Sequence, residues 1–207
     1  MKKWLDDAKT RMQQVSEKGE VMIQSGRDTV VNLADRREKL RVYKLYPEAH
    51  MPTYGSHWAA CFDLHASIRV GDTINTYTPQ NKKTTTCILE DKDGPTFVVY
   101  PGHRALVPTG LVFDLEEDQS MRVHPRSGLA VKNGVMLANC EGIIDADYVQ
   151  QTYITVFNTS DVPFAIRDGD RLAQAEIVRS FQVAFEEVTE EPEPKTNRKG
   201  GFGSTGV

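Results

Sequence analysis

Thr96-Phe-Val-Val-Tyr100, Ala105-Leu-Val-Pro108 and Gly110-Leu-Val-Phe-Asp-Leu115 follow one another with only Pro101-Gly-His-Arg104 and Thr109 between them. Each run is short, rich in β-branched and aromatic residues, and cut off by proline or glycine, and none continues with the three- and four-residue spacing of a helix. This stretch therefore reads as consecutive short strands. The same texture returns in Thr152-Tyr-Ile-Thr-Val-Phe157 and in Arg171-Leu-Ala-Gln-Ala-Glu-Ile-Val178. Many short strands at this spacing predict an all-β body, a sandwich or distorted jelly roll, over residues 42–185. Within it, Asn75 to Pro95 is polar and threonine-rich, and is expected to form an inserted hairpin or long loop.

The two ends differ in kind from this body. Residues 1–41 contain no proline, many charges, and apolar residues such as Trp4, Leu5, Ala8, Met12 and Val15 at spacings that predict one or two amphipathic helices, interrupted near Gly19 and Gly26. Lysine and arginine outnumber acids there, so a packed helix, a solvated arm or a protein-partner segment are all open. Residues 186–207 begin with Glu186-Glu-Val-Thr-Glu-Glu-Pro-Glu-Pro, which has too little apolar area to pack and predicts a flexible linker. They end in Gly200-Gly-Phe-Gly-Ser-Thr-Gly-Val207, a composition that suggests an arm closing over a ligand.

With 207 residues, 39% hydrophobic and 26% charged, the chain has room for one packed domain plus these extensions. A formal charge of -4 lacks the basic face that nucleic acid requires, so no nucleic-acid partner is expected. No apolar run reaches membrane-spanning length and the first residues lack a signal-peptide core, which points to no membrane association and a cytoplasmic location. Cys61, Cys87 and Cys140 show neither zinc nor disulfide spacing and are expected as buried free thiols. The five histidines form no metal-ligand spacing and receive no role.

Five segments carry chemistry. Asp63 stands alone among apolar neighbours in Ala59-Ala-Cys-Phe-Asp-Leu-His-Ala66, where a carboxylate needs a local hydrogen bond or a cation. In Pro125-Arg-Ser-Gly-Leu-Ala-Val-Lys-Asn-Gly134, Arg126, Ser127 and Gly128 combine a planar cation, a hydroxyl and a bare amide, which suit phosphate oxygens or a turn braced by arginine. Asn139-Cys-Glu-Gly-Ile-Ile-Asp-Ala-Asp-Tyr148 has two acids at alternate positions, on one face if the segment is extended, and one of them could act as a base. Gln174 is an amide in an apolar strand after the turn signal Asp168-Gly-Asp170, and needs partners. In the tail, Phe202 offers a flat face to a base, while the glycines, Ser204 and Thr205 offer donors to phosphate.

In order and context these segments resemble the five motifs of the trimeric dUTP pyrophosphatases (dUTPases), over about residues 42 to 207. The resemblance implies hydrolysis of dUTP to dUMP and pyrophosphate by water attacking the α-phosphorus. It implies Mg2+ as cofactor, with Asp63 and Gln174 holding it through water, and Asp145 as the base. Arg126, Ser127 and Gly128 would bind the triphosphate from a neighbouring subunit of a homotrimer with shared active sites. Asn139 and the hairpin backbone around Gly142 and Ile144 would read uracil, and Tyr148 would pack on deoxyribose to exclude a 2′-hydroxyl. Gln174 would help place the phosphates, Arg171 would be structural, and Phe202, Gly203, Ser204 and Thr205 would close over the nucleotide. Arg198 takes the tail arginine's role one residue nearer Phe202 than is usual, with Asn197 in the usual place. Two rivals remain. The dCTP deaminases share the fold but resemble this chain less, because Val156 stands where their glutamate would be. A regulatory interaction protein keeping the fold would use residues 1–41 or the 75–95 insert.

Overall fold

The computed structural model describes residues 38–197 and Gly200. The helical reading of residues 1–41 falls, except for its last four residues, outside the described residues. So do Arg198, Phe202, Gly203, Ser204 and Thr205.

Alternation is what builds the sheets. In β8 (Arg104–Pro108) Ala105 and Val107 are buried, and in β13 (Tyr153–Asn158) Ile154, Val156 and Asn158 are, with the residues between them turned outward. The remaining strands are β1 (Arg41–Lys44), β2 (Thr53–Tyr54), β3 (Phe62–His65), β4 (Thr73–Tyr77), β5 (Lys83–Cys87), β6 (Leu89–Asp91) and β7 (Gly94–Val99). After β8 come β9 (Leu111–Asp114), β10 (Gln119–Pro125), β11 (Val135–Leu137), β12 (Gly142–Ile144), then β13, β14 (Phe164–Arg167) and β15 (Arg171–Arg179). One five-stranded sheet runs β12-β10-β15-β3-β2, a second runs β11-β13-β8-β4-β5, and two smaller ones pair β1-β9 and β14-β7-β6. Every pairing described is antiparallel.

The buried faces meet in a single apolar cluster that takes Leu64, Met121 and Ala175 from the first large sheet and Ile74, Val107 and Ile154 from the second. The cluster admits polar groups only when they are satisfied. Asn158, fully buried, donates its amide to Val99 O and Val162 O and accepts from the amide and hydroxyl of Ser160. The fold is mostly β, as the sequence predicts. Residues 75–95 are occupied by the β4–β5 hairpin, β6 and the start of β7, with β5 at the sheet edge.

Three sequence expectations are corrected. First, the stretch after Arg126 is not only a turn: Ser127–Asn133 forms a helix, α1, ended by Gly134 in the left-handed conformation (φ 63°), whose amide reaches Ala130 O and Leu129 O. Seven residues are too few for helical periodicity to announce itself. Second, Asp145 and Asp147 do not sit on an extended strand. β12 ends at Ile144 and the Tyr148 amide donates back to Asp145 O at 3.1 Å, so the two acids lie on a turn and the same-face argument lapses. Third, the cysteines are free but not all buried. Cys61 is half-buried, while Cys87 lies exposed on the edge strand and Cys140 is exposed at the tip of the β11–β12 connection with φ 61°. Among the described residues no helix is long and apolar enough to cross a membrane.

Candidate active site

The described residues bring the sequence-predicted positions into two groups. The first is a cleft of about 240 Å3 between β10, the β12 hairpin, β8 and β13. Asn139, Gly142, Ile144 and Tyr148 line it, as do Leu106, Val123, Tyr153 and Thr155. It is a mostly apolar slot with a few polar groups, the usual composition of a small-ligand site. Close packing shapes its wall: a Cβ on Gly142 would stand 3.1 Å from Val123 Cβ, so a side chain there would require β12 and β10 to give by a few tenths of an ångström, and it would lie in contact with Asn139 Nδ2 at 3.5 Å. The Asn139 amide is held from β13, where Thr155 Oγ1 donates to Asn139 Oδ1 at 2.6 Å. Tyr148 is tied down by its hydroxyl, which donates to Gln151 O at 2.9 Å. Asp145 is exposed on the turn that leaves this hairpin.

The second group is charged. Cross-strand register aligns Asp63 on β3, Gln174 on β15 and His124 on β10 in one row, which sets these side chains on the same face. Arg126 follows directly at the end of β10. Its Nε lies 3.0 Å from Asp63 Oδ1, Arg171 Nη1 lies 3.1 Å from Oδ2, and Arg126 Nη1 donates to Arg171 O at 3.0 Å. The sequence demanded a partner for an acid in an apolar strand; the fold supplies two, to a side chain only 10% exposed. Two guanidiniums share one carboxylate, so the group keeps a net positive charge for an anion. Gln174 Nε2 donates to Pro125 O at 3.1 Å. Ser127 and Gly128 are exposed in the first turn of α1. A Cβ on Gly128 would meet nothing within 4 Å among the described residues, so their packing does not call for glycine at that position.

Histidines, given no role from sequence, flank both groups. His124 links them, with Nε2 3.2 Å from Glu176 on β15 and Nδ1 3.8 Å from Glu141 on the hairpin connection. His50 is bonded to Asp168 at 2.7 Å, and its ring lies 5.9 Å from that of His65. Burial, reinforced by His50, Arg171 and Arg126 against an opposing pull from Asp63, pushes the His65 imidazole below its ordinary value; its Nδ1 is buried without a hydrogen-bond partner among the described residues. Burial and then Glu176 push the Cys61 thiol up, which disfavours a nucleophilic thiolate there. Sequence reasoning missed the β8 and β13 side of the cleft, because Leu106, Tyr153 and Thr155 carry only the ordinary signal of a strand.

The cleft lining includes none of Asp63, Arg126, Ser127, Gly128 or Gln174. A larger hollow of about 540 Å3, lined by Leu40, Val42, Met51, Tyr54 and Phe62 among others, includes none of the sequence-predicted site residues.

A small, mostly apolar cleft and a pair of arginines on one carboxylate thus stand on one antiparallel frame. The dUTPase family model matches residues 94–206. The deoxyuridine 5'-triphosphate nucleotidohydrolase of Rhizobium rhizogenes is 37% identical over 157 residues, 76% of this chain and 85% of the relative. The enzyme of the same name from Nautilia profundicola is 36% identical over 168 residues, 81% of this chain and 99% of the relative. The chain belongs to the dUTPase family. Its fold is matched by a mutant form of the dUTPase of Staphylococcus bacteriophage 80alpha solved with dUpNHpp, with a TM-score of 0.63 at 20% identity over 83% of this chain and all of that one.

Proposed function

We propose that this chain hydrolyses dUTP to dUMP and pyrophosphate, limiting uracil incorporation into DNA and supplying dUMP for dTTP synthesis. The observation that carries the reading is the cleft, in which Asn139, Gly142, Ile144 and Tyr148 of one hairpin meet Leu106, Val123, Tyr153 and Thr155 from three other strands. Asn139 and the hairpin backbone read the uracil edge, the close wall at Gly142 leaves no room for a 5-methyl group, and the Tyr148 ring excludes a 2′-hydroxyl. Asp145, on the turn leaving that hairpin, orients and deprotonates the water that attacks the α-phosphorus in line, and pyrophosphate departs without a covalent intermediate. Arg126, Ser127, Gly128 and Gln174 bind the triphosphate, and Arg198, Phe202, Gly203, Ser204 and Thr205 close over it.

Among the described residues no cluster of three or more His, Cys, Asp or Glu side chains could hold a metal ion. Asp63 already accepts from two arginines, whereas the Gln174 carbonyl oxygen has no hydrogen-bond donor among the described residues. Such a donor set fits Mg2+ that keeps its waters and rides on substrate phosphates, with Asp63 and Gln174 reaching it through water. When bound, Mg2+ supplies charge neutralisation to the triphosphate. A dUTPase of phage phi11 is described as coordinating a structural Mg(II) ion.

Separation of the phosphate ligands from the base cleft supports a homotrimer whose active sites draw on more than one chain. Phe181, Val183, Phe185 and Val188, all exposed at near-alternate positions, would gain cover in such an assembly. A protein partner for residues 1–41 and a cytoplasmic location complete the proposal. Deamination of dCTP is disfavoured by a core valine, Val156, where the deaminase glutamate would stand. Pyrophosphate release from dUTP, dTTP, dCTP and UTP tests the reading: rapid release from dUTP alone is expected, and ammonia from dCTP or inactivity on dUTP would overturn it.

A further inference from the structure

We infer that Thr155 is a specificity-determining positioning residue, one that fixes which side of the Asn139 carboxamide faces the base and thereby which pyrimidine the cleft accepts. The inference rests on the reading of the cleft as the uracil site.

Thr155 grips the start of the hairpin twice. Its carbonyl accepts the Ala138 amide at 2.8 Å, and its hydroxyl donates to Asn139 Oδ1 at 2.6 Å. The second separation belongs to O–H···O geometry, shorter than the 2.9 to 3.0 Å typical of an amide N–H donor, and so assigns oxygen rather than nitrogen to the Thr155 side. The amide nitrogen then lies on the Gly142 side, 3.5 Å from where a Cβ on that glycine would stand. Asn139 therefore offers N–H donors to the ligand and withholds its acceptor.

A base edge carrying a carbonyl, such as the 4-keto group of uracil, satisfies those donors. A 4-amino group, as in cytosine, would set donor against donor. An asparagine free to rotate by half a turn would serve both bases equally well, since its two ends differ only in hydrogen bonding. The Thr155 hydroxyl removes that freedom. It touches Asn139 and not the reacting atoms, so its effect belongs in base choice rather than in the chemical step.

Thr155→Val keeps the branched shape of the side chain and removes the hydroxyl; Thr155→Ser keeps the hydroxyl. Steady-state kinetics of the full-length wild type and both variants on dUTP and dCTP would read the effect. Loss of one orienting hydrogen bond in Thr155→Val is expected to narrow the dUTP:dCTP ratio of kcat/KM by about tenfold, through a higher KM for dUTP with kcat within about twofold. Thr155→Ser is expected to restore most of the ratio, and thermal melts should show all three proteins folded. An unchanged ratio in Thr155→Val, or a matching fall in kcat on both substrates, would overturn the inference. So would a loss in Thr155→Ser as large as in Thr155→Val. A wild type that releases no pyrophosphate from dUTP would overturn the reading of the cleft, and this inference with it; an active wild type beside an unselective role for Thr155 would leave that reading standing.

Discussion

The base cleft and the arginine group are built on opposite principles. The cleft is formed within one chain, is mostly apolar, and has its exposed polar members held by neutral hydrogen bonds from Thr155 and to Gln151. The arginine group is charged and partly open, with Arg171 half exposed, and its cations rest on the carboxylate of Asp63. A site that must tell pyrimidines apart needs donors and acceptors fixed in place, because a mismatched base then leaves a polar group unpaired. One that must hold a triphosphate needs charge, and can leave part of its enclosure to whatever arrives.

The largest expected effect belongs to Asp145, on the turn that leaves the cleft's hairpin. Asp145→Asn should lower kcat by about a hundredfold or more while leaving dUTP binding intact, because only proton removal is lost; turnover and equilibrium binding of a non-hydrolysable analogue separate the two, and near-normal turnover would remove Asp145 from its role. If cleft and phosphate ligands are supplied by different chains, mixing and reassociating inactive Asp145→Asn and Arg126→Ala proteins should regenerate activity. About a quarter of the sites in random trimers would then be complete, whereas no recovery would mean that each chain serves itself. Tyr148→Ala should narrow the preference for dUTP over UTP by about tenfold, as measured by kcat/KM, without moving the dUTP:dCTP ratio.

The smallest effect belongs to the charged side. Because the folded protein holds the His65 pKa below its unfolded value, the unfolded chain binds the extra proton. The stability this contributes is present above the unfolded value and is lost as pH falls through the folded one. His65→Asn lacks that dependence, so the gap in melting temperature between wild type and variant should shrink as the buffer goes from pH 7.5 toward pH 5. A gap that widens would mean that His65 is held protonated.

Much of this was legible in the chain itself. Strands such as β8, β13 and β15 announced themselves because β-branched runs are cut by Pro, Gly and Asn at short intervals. The cleft's Asn139, Gly142, Ile144 and Tyr148 were readable because they sit within ten residues of one another and match a family motif. What stayed hidden depended on distance or shortness. Asp63's two arginines lie more than sixty and more than a hundred residues away, and only strand register brings them together. Thr155 looks like any strand threonine until β13 is laid beside the hairpin. The turn at Asp145 replaced an extended reading because one backbone bond, Tyr148 to Asp145, outweighs the alternation of side chains.

The cap of α1 also bears on how preparations keep. Asn133-Gly134 is the only Asn-Gly pair in the chain, the dipeptide in which a side-chain amide is most readily attacked by the next backbone nitrogen, with loss of ammonia through a cyclic imide. Here that nitrogen is committed to the carbonyl of Ala130 and the glycine is fixed in the left-handed conformation. As long as the helix end holds, storage should spare this pair, and the appearance of an extra negative charge at position 133 would report that α1 had frayed.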